Sequence, residues 1–113
     1  MMTIDKETIK KEILSCLKQE ADIVRIVLFG SFVKDNFHSD SDIDILILLK
    51  KRGIHSTYRE RLIRNQYYSR LLNPIREFLP VDVVVFTQDE WNYMKNKGSL
   101  FAKEIEQSGY RLK

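Results

Sequence analysis

The sequence predicts an α/β protein in which helices pack on a small mixed β-sheet. Residues 23–29, 43–49 and 81–86 are apolar, rich in β-branched side chains and short enough to be strands. Segments with apolar residues at helical spacing precede, separate and follow these strands. Strands that alternate with helices are typical of a sheet that is covered by helices. A length of 113 residues suits one domain, so we expect residues 1–113 to form a single unit.

The first half of the chain is expected to contain one long helix and two strands. Residues 5–19 have an apolar side at helical spacing, formed by Ile9, Ile13, Leu14 and Leu17. The first strand ends at Gly30, and residues 31–37 are expected to form a short helix or turn. The polar residues 38–41 then lead into the second strand as a loop.

The second half begins with a long helical stretch, residues 56–79. Its apolar side is predicted to consist of Leu62, Tyr67, Leu71, Ile75 and Phe78. At Asn73–Pro74 the stretch either bends or restarts, with Asn73 as the N-cap of a new helix and Pro74 at its first position.

Two short helices are expected after the third strand. One begins at Thr87 or Asp89 and carries Trp91. The other covers residues 99–107 and ends at Gly109. The chain contains no internal repeat and no low-complexity segment.

Composition excludes several classes of protein. The hydrophobic fraction of 43% and the charged fraction of 31% are ordinary for a globular protein. The single cysteine, Cys16, excludes an internal disulfide and a cysteine-rich zinc site. The longest apolar run, residues 45–49, is too short to cross a bilayer, and the first residues lack the apolar core of a signal peptide. We therefore expect a cytoplasmic protein that does not enter membranes.

Two aspartates at the start of the second strand are the first candidate site residues. Asp42 and Asp44 are separated by one residue, so in a strand both side chains project to the same side. Carboxylates about 7 Å apart on one face repel each other unless cations lie between them. Mg²⁺ prefers carboxylate and phosphate oxygens, and two-metal sites stabilise the attacking and leaving oxygens of phosphoryl transfer. Asp82 lies inside the apolar third strand and would complete this site if that strand lies beside the second.

A glycine and a serine follow the first strand directly. Gly30 permits a tight turn and a close approach of the backbone to a ligand. The Ser31 hydroxyl and the free N–H groups at the start of a short helix suit a phosphate. Lys34, one turn later, can add positive charge, so these three residues are candidates for nucleotide binding. Each feature alone is common, because Gly-Ser often forms a simple turn and Asp82 could pair with a helix arginine.

The combination of these residues resembles a known signature. Gly30-Ser31, ten further residues and Asp42-Ile43-Asp44 are similar to the Gly-Ser-x10-Asp-x-Asp motif of the nucleotidyltransferase superfamily, which includes DNA polymerase beta and kanamycin nucleotidyltransferase. Nearly the whole chain more closely resembles the minimal nucleotidyltransferases, which act as antitoxins beside HEPN-domain ribonuclease toxins. The resemblance implies the nucleotidyltransferase fold with its polymerase beta-like palm.

The resemblance also implies roles for the site residues. Asp42 and Asp44 would hold two Mg²⁺ ions, and Asp82 would bind the catalytic ion and assist deprotonation of the acceptor hydroxyl. Gly30 and Ser31 would bind the triphosphate. The donor would be ATP and the acceptor a tyrosine of a HEPN-family toxin, so the two proteins would form a hetero-oligomer.

Two departures from the family pattern lie next to this site. Lys34 stands where arginine is frequent, which keeps the charge but loses the bidentate fork. Asp35 stands where glycine is common. Neither departure affects the three carboxylates.

Other functions remain open at this point. The chain could neutralise a toxin by binding and masking it, without catalysis. A small-molecule nucleotidyltransferase of the antibiotic-resistance type is less favoured, because a second, acceptor-binding domain is missing. Residues 50–76 contain eight basic residues and one acidic residue, so they form either a docking face for an acidic partner or a solvated helix side. Direct RNA binding through Tyr58, Tyr67 and Tyr68 is not favoured, since Tyr67 fits the predicted apolar side.

Overall fold

A four-stranded mixed sheet forms the centre of the protein, in a computed structural model that describes residues 5–34, 37, 41–50 and 57–113. Its strands are β1 (Ile23–Phe29), β2 (Ile43–Leu49), β3 (Val81–Thr87) and β4 (Tyr110–Arg111), in the order β3-β2-β1-β4. Strand β2 pairs parallel with β3 and antiparallel with β1, and β4 pairs antiparallel with β1. The predicted mixed sheet is therefore confirmed.

The helices cover both faces of this sheet. They are α1 (Lys6–Leu17), α2 (Tyr58–Arg70), α3 (Asn73–Arg76), α4 (Gln88–Asn96) and α5 (Leu100–Ser108), and a short 3₁₀ helix spans Gly30–Val33. Each long helix begins at a polar N-cap, which supplies an acceptor for otherwise unpaired N–H groups. Both α2 and α4 begin with a complete capping box, Thr57 with Glu60 and Thr87 with Glu90.

Strand β2 is buried on both of its faces beyond Asp44. Its odd-numbered isoleucines, Ile43, Ile45 and Ile47, pack in one core layer with α1, α2 and α3. Leu46 and Leu48 pack in a second layer that contains residues of α4 and α5. A central strand covered on both faces reads as a continuous apolar run, which is what residues 45–49 are.

The apolar side of α1 is narrower than predicted. Ile9, Ile13 and Leu17 are buried, whereas Leu14 is 37% exposed. Leu14 follows Ile13 directly and is therefore rotated by about 100° around the helix, away from the sheet. Cys16 is half-buried against the same core layer, as expected for a residue beside the apolar side.

The predicted apolar side of α2 and α3 is wrong in part. The buried residues are Tyr68, Leu72, Ile75 and Leu79, while Leu62, Tyr67 and Phe78 are about half exposed. Tyr67 donates a hydrogen bond from its hydroxyl to Glu20 Oε1 at 2.8 Å, so its polar end lies at the surface. A face shifted by one residue explains the difference, because Tyr68 and not Tyr67 points into the core.

The start of α3 and the presence of a fourth strand also differ from the prediction. The chain restarts as α3 after α2 ends, but Leu72 is its N-cap, so Asn73 and Pro74 occupy the first two helical positions. Strand β4 was not predicted, because two exposed residues carry no periodic signal. No helix in the described part of the chain is long and apolar enough to cross a membrane.

Candidate functional site

The parallel pairing of β2 with β3 brings two of the three candidate aspartates together. Asp44 is the direct partner of Asp82 in the register of these strands. Paired residues on neighbouring strands share a face, and such strands lie about 4.8 Å apart. Asp44 is half-buried and Asp82 is exposed, so the two carboxylates lie at the open end of the core layer formed by α4 and α5.

Asp42 lies next to this pair but outside the strand. It immediately precedes β2 and is exposed. Its backbone carbonyl accepts a hydrogen bond from the Ser31 hydroxyl at 3.4 Å. This contact ties the turn after β1 to the start of β2, so Ser31 and the carboxylates lie on the same side of the molecule.

Gly30 is required by its backbone and by its neighbour. Its φ angle is +71°, a conformation that residues with a side chain rarely adopt. A Cβ atom at this position would overlap Oδ2 of Asp44. The approach follows from the antiparallel pairing of β1 with β2, in which Phe29 lies opposite Asp44. Gly30 therefore makes room for the carboxylate at the centre of the site.

Negative charge dominates the site among the residues that the structure describes. Burial raises the pKa of the Asp44 carboxyl above its ordinary value, and the neighbouring Asp82 and Asp42 raise it further. None of the three carboxylates forms an ion pair with any residue that the structure describes. The hypothesis that Asp82 pairs with a helix arginine is therefore not supported.

The three carboxylates supply the donor atoms that a magnesium ion prefers. Carboxylate oxygens, together with water and substrate phosphates, are its usual ligands. The repulsion that raises the pKa of Asp44 would be relieved by a cation between the carboxylates. Within the described ranges, no three carboxylate, imidazole or thiol groups, these aspartates included, converge closely enough to hold a metal ion by themselves. The protein thus fits the ion by the chemistry of its donors, with a substrate to supply the remaining oxygens.

The remaining candidate residue, Lys34, is exposed directly after the 3₁₀ helix. Its backbone N–H donates to the Ser31 carbonyl at 3.1 Å, and its own carbonyl accepts from Lys6 Nζ at 3.4 Å. Its role in nucleotide binding stays a prediction. Asp35, the other departure from the family pattern, lies outside the described residues.

The basic segment, residues 50–76, offers fewer arginines for docking than its composition indicated. Arg64 and Arg76 are both half-buried and bind residues of this chain, Arg64 through an ion pair to Glu90 at 2.9 Å. Tyr68 is buried, which removes it as a residue for RNA stacking, whereas Tyr58 and Tyr67 are exposed, so the predicted packing of Tyr67 in the core is wrong. Lys51 and Arg52 lie outside the described residues.

Comparison with known proteins identifies a matching family and similar folds. A family model described as "Nucleotidyltransferase domain" matches residues 10–109, which is most of the chain. Over 42 residues the chain is 43% identical to a curated protein of Methanocaldococcus jannaschii named "Putative protein adenylyltransferase MJ0141". That match spans 37% of this chain and only 40% of the length of the relative.

Solved structures with the same fold come from toxin–antitoxin complexes. One, described as a toxin-antitoxin with AMP-PNP, is 21% identical with a TM-score of 0.60 and covers 92% of this chain and 72% of that chain. Another, the toxin-antitoxin MntA-HepT, is 18% identical with a TM-score of 0.55 and covers 96% of this chain and 72% of that chain. At this identity the likeness establishes the fold.

Proposed function

Because the chain belongs to the nucleotidyltransferase domain family, we propose that it is a Mg²⁺-dependent protein adenylyltransferase. It would transfer AMP from ATP to a tyrosine of a HEPN-family toxin and thereby act as an antitoxin in the cytoplasm. The observation that carries the proposal is the pairing of Asp44 with Asp82 beside the Gly30 turn. A pair of carboxylates without an ion pair to any described residue, next to a glycine turn with a serine hydroxyl, suits a metal–triphosphate substrate.

The donor and the partner are supported by the relatives. The name of the matched archaeal protein assigns AMP transfer to protein, and one structural neighbour is described with AMP-PNP, an ATP analogue. The structural neighbours are complexes of a toxin with its antitoxin.

The residues divide into two groups by what they would bind. Asp42, Asp44 and Asp82 would hold two Mg²⁺ ions, which neutralise the charge on the triphosphate and on the attacking oxygen. The Ser31 hydroxyl and the backbone of Gly30 would bind the triphosphate, with Lys34 as an added positive charge. The absence of a side chain at Gly30 makes room for the Asp44 carboxylate, which places a proposed metal ligand next to the residues that would bind the phosphate.

The reaction itself is a substitution at phosphorus. The acceptor hydroxyl oxygen forms a bond to the α-phosphorus of ATP, and the bond from that phosphorus to the bridging oxygen of pyrophosphate breaks. Asp82, the exposed member of the carboxylate pair, would accept the proton of the acceptor hydroxyl. Positioning and charge neutralisation supply most of the rate in this type of transfer.

Intact-mass spectrometry tests the proposal directly. A HEPN-family partner would be incubated with the protein, ATP and Mg²⁺, beside the Asp42→Asn/Asp44→Asn variant and a sample with EDTA. We expect an adduct with the mass of AMP on the partner, formed by the wild-type protein alone and abolished by EDTA. An unmodified partner in every sample would contradict the proposal.

Masking of the toxin without catalysis is the second candidate. The observation in its favour is that the structural neighbours were solved as complexes with their toxins. Under this alternative the Asp42→Asn/Asp44→Asn variant would bind and neutralise the toxin as well as the wild-type protein does. Under the adenylyltransferase proposal the same variant would bind the toxin but fail to neutralise it.

A further inference from the structure

Strand β3 carries Asp82, yet its own sequence specifies its register weakly. It is an edge strand of the sheet and pairs only with β2 among the described strands. One face of the strand consists of three valines, Val81, Val83 and Val85. A slip by two residues would replace one valine by another at small packing cost, but it would move Asp82 about 7 Å from Asp44. Contacts other than valine packing must therefore fix the register.

The first such contact involves Arg76 of α3 and the outer edge of β3. Ile43 N donates to the Pro80 carbonyl at 2.9 Å. The backbone N–H and C=O groups of even-numbered residues in this strand therefore point toward β2, and those of odd-numbered residues point toward the outer edge. Arg76 Nη2 donates to the outward carbonyl of Val81 at 3.2 Å, directly before Asp82.

The guanidinium of Arg76 is itself held firmly. Its Nη1 donates to the Ser69 carbonyl at 2.6 Å and to Asn73 Oδ1 at 2.9 Å, and its Nη2 also donates to the Ser69 hydroxyl. These acceptors belong to the last turn of α2 and the first turn of α3. Arg76 therefore joins the beginning of β3 to two helices.

Arg64 holds the other end of the same edge. Its Nη2 donates to the Val85 carbonyl at 3.2 Å and pairs with Glu90 Oε1 at 2.9 Å. The same Glu90 oxygen accepts from the backbone N–H of Thr87, the last residue of the strand, at 2.8 Å. The outer edge of β3 is thus fixed at Val81, Val85 and Thr87.

We propose that Arg76 and Arg64 are positioning residues that fix the register of β3 and so hold Asp82 opposite Asp44. The proposal rests on the proposed function, because it assigns the two arginines a role in metal binding through Asp82. Arginine suits this role because its planar fork offers five donors, so one side chain can satisfy several carbonyls at once. A lysine at either position would keep the charge but not this geometry.

Mn²⁺ titration by calorimetry, with Mn²⁺ alone as the probe, tests the role of Arg76 in a double-mutant cycle. The proteins are the wild type, Arg76→Gln, Asp82→Asn and the double variant, all at a temperature where each is folded. We expect Arg76→Gln to weaken Mn²⁺ binding about tenfold, the usual effect of losing a residue that orients a metal ligand. In the Asp82→Asn background the same change should have no further effect, because Arg76 acts through Asp82.

Two further variants separate positioning from a general loss of stability. Ile13→Val on α1 lowers stability in the core without removing any hydrogen bond of Arg76 or Arg64, and it should leave Mn²⁺ affinity unchanged. Asn73→Ala removes one acceptor of Arg76 and should weaken Mn²⁺ binding in the same direction by a smaller factor; it also serves if Arg76→Gln does not fold.

The outcomes distinguish this inference from the proposed function. If the wild type binds no Mn²⁺ in the absence of ATP, the inference is overturned, whereas the proposed function fails only if AMP transfer to the partner is absent as well. If Mn²⁺ binding depends on Asp82 but Arg76→Gln and Asn73→Ala leave it unchanged, only the positioning role is overturned. Equal losses from Arg76→Gln in the presence and absence of Asp82 would also overturn it.

Discussion

Asp82 lies directly opposite Asp44 in the parallel pairing of β2 with β3. Two carboxylates on one face of adjacent strands, without an ion pair from the described residues, destabilise the fold in the absence of a ligand. Such local conflict between charge and stability is typical of sites that bind ions or transform substrates. This relationship leads to the first prediction.

Asp44→Asn should make the metal-free protein more stable and should abolish its activity. The substitution removes a half-buried like charge while keeping the shape of the side chain, so we expect a gain of about 1 kcal/mol in the free energy of unfolding. Transfer of AMP should fall by more than about 100-fold, because a ligand of the charge-neutralising ions is lost. Urea unfolding with EDTA and intact-mass spectrometry measure the two effects. A destabilised variant would mean that Asp44 has a partner that compensates its charge.

Gly30→Ala should be far more damaging than Gly98→Ala. Both glycines have positive φ angles, +71° and +76°, so both substitutions carry a backbone cost of about 1 kcal/mol. At Gly98 a new Cβ meets no atom within 4 Å, whereas at Gly30 it overlaps the carboxylate of Asp44. We expect Gly30→Ala to cost at least about 2 kcal/mol and to lose activity, while Gly98→Ala keeps activity. Equal effects in thermal unfolding and transfer assays would contradict this account of Gly30.

Much of the fold follows from local sequence signals. Strands β1 and β2 have the predicted bounds, because short segments rich in isoleucine, valine and leucine favour strands and each is bounded by polar residues or glycine. The two closing helices were also predicted, since Thr87 and Ser99 are strong N-caps. The sequence predicted that Asp44 and Asp82 are neighbours only if the strands that carry them pair.

Other features depend on tertiary contacts and could not be predicted. The buried face of α2 was misassigned by one residue, because Tyr67 and Tyr68 are equally apolar in a pattern and only the packing against β3 decides between them. The contacts of Arg64 and Arg76 with β3 were also not predicted, since an arginine on a helix usually indicates a side that faces solvent.

The assignment of the α2 face gives a third prediction, in which Tyr67 and Tyr68 are each replaced by alanine. Tyr68 is 7% exposed, so Tyr68→Ala should leave a cavity and cost about 3 kcal/mol. Tyr67 is 50% exposed and loses mainly its hydrogen bond to Glu20, so Tyr67→Ala should cost about 1 kcal/mol or less. Urea unfolding distinguishes the two variants. A larger cost for Tyr67→Ala than for Tyr68→Ala would support the buried face that was predicted from the sequence.

The fourth prediction concerns Glu106 and the pH dependence of stability. A hydrogen bond from Trp91 Nε1 lowers the pKa of Glu106 below its ordinary value of 4.5, and Lys95 lowers it further. A lowered folded-state pKa contributes stability that is present above pH 4.5 and is lost as the pH falls through the folded value. Glu106→Gln should therefore reduce stability at pH 7 and have a smaller effect at pH 3, below the ordinary pKa.

The effect of Glu106→Gln should be small, below about 1 kcal/mol, because the carboxylate is partly exposed to solvent. Urea unfolding at the two pH values, followed by the fluorescence of Trp91, measures it. Glu104→Gln, a change at an exposed position of the same helix, is the matched control. A difference between wild type and Glu106→Gln that persists unchanged at pH 3 would contradict the assignment.

The central claim is that Asp42, Asp44 and Asp82 form a metal-dependent nucleotide site with Gly30 and Ser31. Calorimetric titration with ATP in the presence of Mg²⁺, and again in EDTA, tests it most directly when the wild type is compared with Asp42→Asn/Asp44→Asn. We expect the wild type to bind ATP only with Mg²⁺ and the folded variant to lose this binding. Equal binding of ATP by both proteins, or equal binding of ATP in Mg²⁺ and in EDTA, would contradict the claim.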